Sequence, residues 1–308
     1  MNQFITENQY SIPIVEGWRE IIKSNWRNAY KEFTFDNIDL TTILKLKKDI
    51  KESVHWLTKY GYSIEGKKIM DAGCYLGIQC FGAVEMGAAE AIGIDIPEYY
   101  INQSLNSNVN ASEILKQRRD SVRKYHNIDQ DAVKFYDMSI FDMPFENEFD
   151  FIFTWETFEH IINPKKALSE IHKALKPGGI SFNLYNPFFS ITGGHSMCTL
   201  DYPFSHVMLS DNDFKKYTNT IIPSNCPEKY QELSYNFFTK NLNRMTINDL
   251  KSYIEENDFE LIDFITIPDL KVLQAIDETT LEICKELYPN ITLNDLLCSN
   301  IYFIIKKI

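Results

Sequence analysis

With 308 residues, 44% of them hydrophobic and 14% aromatic, the chain can fill a sizeable core, which excludes disorder as its resting state. A formal net charge of -12 and a pI of about 5.0 exclude the basic face of a nucleic-acid binder. The six cysteines are scattered with no C-x-x-C pair, which excludes a structural zinc site and a disulfide framework, and no apolar run approaches the ~20 residues of a membrane span.

The start, Met1-Asn2-Gln3-Phe4, has neither a basic head nor an apolar run, so no signal peptide is expected. The expectation is a cytoplasmic protein with reduced thiols, a small-molecule partner, no nucleic acid, no membrane and no bound metal. The oligomeric state is open, with a homodimer as one option.

Residues 1–40 carry Tyr10, Trp18, Trp26, Tyr30, Phe33 and Phe35, with a helix expected over 16–30. Such a segment either covers a site or packs on the outside of the domain. From 41 to 60, Ile43, Leu46, Ile50, Val54 and Leu57 recur at three and four residues, one apolar helical stripe, and Gly61 closes it. Residues 1–60 are therefore expected as an N-terminal cap of helical and aromatic character, and 61–308 as the main domain.

Strands follow at 68–71, 91–96, 132–136, 149–154 and 180–185. The spacing predicts a helix from Ile78 and another near 112–125, with Ile114, Leu115, Val122 and Tyr125 on one side. Asn163 and Pro164 open a third, whose stripe is Ala167, Leu168, Ile171 and Leu175 and which Lys176-Pro177-Gly178-Gly179 ends. Residues 187–245 break the rhythm and read as an insertion, with a capping box at Ser210-Asp211-Asn212-Asp213. Thr246 caps a further helix, a strand runs from 259 to 267, residues 268–299 read as helical, and 301–305 is the last strand. Strands alternating with helices imply an α/β fold with a mostly parallel sheet and helices on both faces.

Chemistry concentrates at Lys68-Ile69-Met70-Asp71-Ala72-Gly73-Cys74-Tyr75-Leu76-Gly77, a strand, a tight turn and the start of a helix. About twenty residues on, Ala91-Ile92-Gly93-Ile94 ends in Asp95, whose carboxylate can accept two hydrogen bonds from ribose hydroxyls. The dinucleotide fingerprint G-x-G-x-x-G is not met, because Tyr75 occupies the middle position where a pyrophosphate needs close backbone approach. That counts against a nicotinamide-dependent oxidoreductase or epimerase, one alternative; a non-catalytic nucleoside-binding or partner-binding fold is another.

Asp71-Ala72-Gly73-Cys74-Tyr75-Leu76-Gly77 resembles the first motif of class I S-adenosylmethionine-dependent methyltransferases, D-x-G-x-G-x-G, at three of four fixed positions. Phe149-Asp150, Glu159-His160 and Leu175-Lys176-Pro177-Gly178-Gly179 are similar to the small-molecule, ubiquinone-type subgroup. The resemblance covers 65–186 well and 246–308 loosely. It implies a Rossmann-like, seven-stranded sheet of order 3-2-1-4-5-7-6 with the last strand antiparallel. It also implies S-adenosyl-L-methionine as cofactor: Asp71, Gly73, Tyr75 and Gly77 beside the methionine moiety, Asp95 on the ribose, Ile96 and Met138 against adenine, Asp137 on its amino group, and Trp155 and Glu156 in further contacts.

The acceptor side is expected in the insertion. An oxygen nucleophile benefits from a general base, most often His. His160, His195 and His206 are the candidates, and Tyr185 and Asn186 could hydrogen-bond the acceptor. A metal held by His195, Asp201 and His206 is conceivable, but their spacing does not point to one. The expected product is an O-methylated sugar, nucleotide-linked sugar or other small metabolite.

Overall fold

The computed structural model describes residues 3–19, 40–97, 110–126, 129, 131–195, 198–221, 228–269, 272, 273 and 275–308. Trp26, Tyr30, Phe33 and Phe35, most of the helix expected over 16–30, and Cys226 lie outside the described residues.

Seven strands form the central sheet: β3 (Lys68–Ala72), β4 (Glu90–Asp95), β5 (Val133–Asp137), β6 (Phe149–Trp155), β7 (Leu175–Tyr185), β8 (Phe259–Pro268) and β9 (Cys298–Lys307). A separate hairpin of β1 (Gln3–Ile5) and β2 (Ser11–Pro13) precedes them. The sheet order is β5-β4-β3-β6-β7-β9-β8, the expected 3-2-1-4-5-7-6. β9 runs antiparallel to both β7 and β8, and the other pairs are parallel.

The register brings the strand ends that matter to one edge. Asp95 lies opposite Asp137, Ala72 opposite Ile94, Asp71 opposite Phe153, and Trp155 opposite Leu184. Parallel α/β sheets bind ligands at these carboxyl ends.

Helices α1 (Leu40–Lys59), α2 (Ile78–Glu85), α3 (Ala111–His126) and α4 (Pro164–Ala174) cover the parallel half. Alternation along each strand feeds two cores. Met70, Ala72, Ile92 and Ile152 pack with α4 on one face. Ile69, Ala91, Phe151 and Phe153 pack on the other with Ile50 and Leu57 of α1 and Phe81 of α2. α1 and α2 approach so closely that a Cβ on Gly82 would overlap Ile50.

Beyond β7 the chain forms α5 (Ser205–Met208), α6 (Asp211–Ile221), α7 (Glu228–Lys240), α8 (Ile247–Glu256), α9 (Glu278–Leu287) and α10 (Leu293–Leu297). Residues of the insertion build a third core with Ile12 of β2 and with Cys284, Ile291 and Leu296. The expected cap thus divides: the hairpin docks on the insertion and α1 docks on the sheet. Arg19 fixes the first junction with a bidentate contact to Asp201, at 2.7 Å from both Nε and Nη2. The Glu7 amide adds a bond to Asp213 Oδ1 at 2.9 Å.

The caps behave as their residue types require. Asn163 accepts from the Lys166 amide, and Thr246 with Asp249 forms a full capping box. Two boundaries differ from expectation. Lys176 to Gly179 do not end a helix outside the sheet, because β7 already starts at Leu175 opposite Phe149 and resumes register at Ile180 opposite Phe151. The intervening residues break the register, and Gly178 there carries a positive φ of 75°. Residues 268–299 are not one helix, since Pro268 still belongs to β8 and the side chains of Asp277 and Thr292 each start a separate short helix.

Candidate functional site

The turn between β3 and α2 is held by backbone and by one buried cation. Gly73 (φ 86°) and Gly77 (φ 72°) take left-handed conformations that favour glycine. A Cβ on Gly73 would overlap Thr157, and one on Gly77 would overlap the Phe135 ring. Tyr75 also sits at positive φ, 44°. Its amide donates to Asp95 Oδ2 at 2.5 Å, and its carbonyl accepts from Arg119 Nε at 2.8 Å.

Arg119 of α3, only 4% exposed, was not singled out in the sequence, where it is one charge on a polar helix. Its guanidinium stacks 4.7 Å from the Phe135 ring and reaches Asp137 at 3.5 Å. It also contacts Cys74 Sγ at 3.6 Å. No local pattern could have revealed it, because its partners Phe135, Asp137, Tyr75 and Cys74 all lie on other elements of the fold.

Three acids surround this cation. Asp71 is 1% exposed, and neither of its carboxylate oxygens has a hydrogen-bond partner. Burial, with the nearby charge of Asp95, pushes its pKa up to about 8, and Arg119 pulls the other way. Asp95 accepts from the Tyr75 and Ile96 amides, the latter at 2.7 Å. Asp137 is engaged by Arg119 and by the Ser112 hydroxyl. Ile96 projects from the end of β4 with 44% exposure, an apolar surface beside the acids. Met138 is half-buried, its amide bonded to the Asp95 carbonyl at 2.9 Å.

This set fits the cofactor that the motif implies. An unpartnered buried acid suits an ammonium group, an acid at the end of the second strand suits a ribose, and the exposed Ile96 suits an adenine face.

Past β6 the chain turns through Glu156, a non-glycine residue at φ 46°, into a short 3-10 turn, Phe158–His160. The Asn243 side chain pins that turn by donating to the carbonyls of Phe158 (2.7 Å) and Ile161 (3.0 Å). Glu159 within it is 1% exposed. Its Oε1 accepts from Asn186 Nδ2 at 3.2 Å, whereas its Oε2 has no partner. Burial raises its pKa to about 8, and the Glu156 charge adds to the shift. Glu159 entered the sequence reading only as part of a family signature, because an acid in an apolar run gives no sign of its burial.

His160 Nδ1 lies 2.9 Å from the Asn241 carbonyl, so that nitrogen carries the proton and Nε2 is the acceptor nitrogen. Burial lowers its pKa to about 4. The structure brings His195 to it: the two rings are 5.9 Å apart, and His195 stacks on Phe237 at 4.0 Å.

The remaining expectations meet different surroundings. His206 is no loop histidine. It is 1% exposed inside the third core, its Nε2 is 2.8 Å from the Phe188 carbonyl, and burial lowers its pKa to about 4. Its ring is engaged by the backbone of Phe188 and Ser190. Tyr185 is likewise a core residue, packed on Phe158 and Phe303, with a hydroxyl that has no partner. Asn186 does reach the site, bridging Glu159 and Asn300 Nδ2, the latter at 2.7 Å. Trp155 is half-buried against Phe182 and Tyr302, its indole N–H unpartnered. Asp201 is committed to Arg19 and Tyr217, so it does not join His195 and His206 in a ligand set.

A family model described as a methyltransferase domain matches residues 45–263. Over 128 residues, 39% of this chain, the sequence is 26% identical to the mitochondrial ubiquinone biosynthesis O-methyltransferase of Dictyostelium discoideum, covering 35% of that protein. Over 128 residues, 42% of this chain, it is 30% identical to phosphoethanolamine N-methyltransferase 2 of Caenorhabditis elegans, covering 26% of that protein. A sterol 24-C-methyltransferase of Gibberella zeae is 29% identical over 121 residues, 39% of this chain and 27% of its own length. The chain therefore spans about a third or less of the length of these curated relatives. Among solved structures, an S-adenosylmethionine dependent methyltransferase from Mesorhizobium loti is 13% identical, covering 84% of this chain and 100% of that one, with a TM-score of 0.48.

Proposed function

The chain belongs to the methyltransferase-domain family, and from that premise we propose that it transfers the methyl group of S-adenosylmethionine to an oxygen of a small-molecule acceptor. Membership sets aside the oxidoreductase alternative. The observation that carries the cofactor half is Asp71, a fully buried carboxylate with both oxygens unpartnered at the motif turn. Such a group is costly unless a donor meets it, typically by about 1–3 kcal/mol.

When bound, the cofactor supplies an electrophilic methyl on a positively charged sulfur. Asp71 would meet the ammonium of its methionine part and Asp95 the ribose hydroxyls, while Ile96 would cover the adenine. Arg119 keeps Tyr75 and Asp137 in place, so Asp137, already engaged by two partners, is a weaker candidate for the adenine amino group than the motif implies.

Methyl transfer depends on positioning and on excluding water. The third core, which joins the hairpin to the insertion, would form the acceptor-side wall. An oxygen acceptor gives up a proton, and His160 and His195 are the imidazoles assigned to that end; His206 is left out because it is sealed in the core. The three relatives act, by their names, on oxygen, nitrogen and carbon acceptors, so the acceptor atom is tested directly. The experiment is turnover of S-adenosylmethionine against panels of hydroxyl-bearing sugars, nucleotide-linked sugars and amines. O-methylated products support the reading; methylation of amines alone would contradict it.

A further inference from the structure

The surroundings of Asp71 suit a bound ammonium better than they suit the bare anion. The carboxyl lies near the end of β3 at 1% exposure, and neither oxygen has a hydrogen-bond partner. A carboxylate held this way has lost water and gained no donors, which disfavours its charged form. The neighbouring elements do not make up the loss. On β4, Gly93 lies opposite in register, and Asp95 at the strand's end adds a second negative charge. On β6 the residue opposite is Phe153. The Cys74 thiol in the turn and the Cys80 thiol on α2 also face Asp71, and burial pushes both well above the usual thiol range, so they stay uncharged. Arg119 of α3 supplies the opposite charge that acts on Asp71, but its donors go elsewhere. They reach the Tyr75 carbonyl at 2.8 Å, Asp137 at 3.5 Å and Cys74 Sγ at 3.6 Å.

We propose that Asp71 is a neutral carboxylic acid in the cofactor-free protein and releases its proton to solvent as the cofactor's ammonium group docks on it, so that cofactor binding exchanges a proton for an ammonium. This exchange rests on the proposed methyl-transfer reading and deepens it. The O–H bond of the acid breaks, the proton leaves to bulk water, and the carboxylate left behind accepts from the ammonium N–H groups. The buried turn carries the same net charge before and after, and at no stage holds an uncompensated anion.

The sign of the pH dependence follows. The folded pKa of about 8, raised by burial and by Asp95 against the pull of Arg119, sets its upper limit. Below that value a proton must leave for the cofactor to bind, so affinity climbs as pH rises. Above it the acid is already ionised, and affinity levels off. A carboxylate with an ordinary pKa would make binding indifferent to pH across the neutral range. Loading of the cleft is thereby tied to pH where that of an exposed acid would not be.

The test is calorimetric titration of the full chain with S-adenosylhomocysteine. Protons released per ligand are counted at pH 7 in phosphate and in imidazole buffers, whose ionisation enthalpies differ, and affinity is followed from pH 6 to pH 8. The control ligand is 5′-methylthioadenosine, which keeps the nucleoside and lacks the ammonium. The expected result is release of about one proton with S-adenosylhomocysteine and an affinity about tenfold higher at pH 7 than at pH 6. 5′-Methylthioadenosine should bind with no release and no slope, a comparison made on the unaltered chain. In Asp71→Asn, whose amide cannot ionise, S-adenosylhomocysteine should lose both the release and the slope. S-adenosylhomocysteine binding to the unaltered chain without proton release would overturn the exchange and leave the cofactor reading standing. Equal release with 5′-methylthioadenosine, or in Asp71→Asn, would do the same. No S-adenosylhomocysteine binding at any pH would overturn the cofactor reading and the exchange with it.

Discussion

Asp71 and Glu159 are a matched pair in two different settings. Both are carboxyls with 1% exposure, both have pKa values raised to about 8 by burial, and both retain at least one oxygen without a partner. Around Asp71 the protein supplies a compensating cation, Arg119, and that cation also braces the turn through the Tyr75 carbonyl. Around Glu159 it supplies neutral donors, the Asn186 side chain and the backbone at Glu159 and Asn186, and, among the described residues, no cation. Each acid also has a second carboxylate near it, Asp95 for Asp71 and Glu156 for Glu159. The first-motif turn is thus braced by an opposite charge, while the turn after β6 is held by neutral hydrogen bonds. The difference teaches that a buried acid is informative in proportion to how little the fold does for it.

The largest effect expected from disturbing this contrast is at Arg119. Arg119→Met should destabilise the fold by about 1–3 kcal/mol in denaturant titrations, since it leaves the Tyr75 carbonyl without its donor, whereas Asp137, 39% exposed, loses little. Destabilisation within the range of an ordinary surface substitution would mean that the arginine does not brace the turn. Next is Asp95→Ala, which should weaken S-adenosylhomocysteine binding by about 100-fold, the equivalent of roughly 2.7 kcal/mol, in calorimetry on folded protein. Unchanged affinity would remove Asp95 from the ribose.

A smaller effect carries a sign. Burial raises the Asp71 pKa to about 8 from the usual 3.8, so between those values the native state holds a proton that the unfolded chain has released. Its contribution therefore falls as pH rises from about 4 to about 8. Asp71→Asn should flatten that slope and be the more stable protein at pH 8 by about 1–3 kcal/mol, with little difference at pH 4. His206 runs the other way. Its folded pKa near 4 lies below the usual 6.5, so stability is lost as pH falls from 6.5 through 4. The smallest effect expected is on catalysis by His206→Gln: per folded chain, turnover should match the unaltered protein. A loss of turnover without a loss of folded protein would return His206 to the site.

The sheet order and the cofactor end were legible because both are written locally. Apolar strands, the glycines at 73 and 77, and an acid at the end of each of the first three strands all lie within short stretches of sequence. The acceptor end was legible only in part. His160 and His195 were picked out one by one, and the fold brought them together. His206 and Tyr185 looked polar and available, yet long-range packing of the third core buried both. Arg119 and the orphaned oxygen of Glu159 were not visible at all, because a side chain's partners across the sheet leave no periodic trace. The bulge at Lys176 to Gly179 was missed for a related reason: a Pro-Gly-Gly run ends a helix and kinks a strand with equal ease.

The most direct measurement of the central claim is the thermal unfolding of the purified protein with S-adenosylhomocysteine, S-adenosylmethionine, NAD and NADP in parallel. A ligand at a hundredfold over its dissociation constant adds about 2.7 kcal/mol to native stability. Stabilisation by the two adenosyl ligands and not by the dinucleotides is the predicted result. Stabilisation by NAD or NADP alone would contradict it.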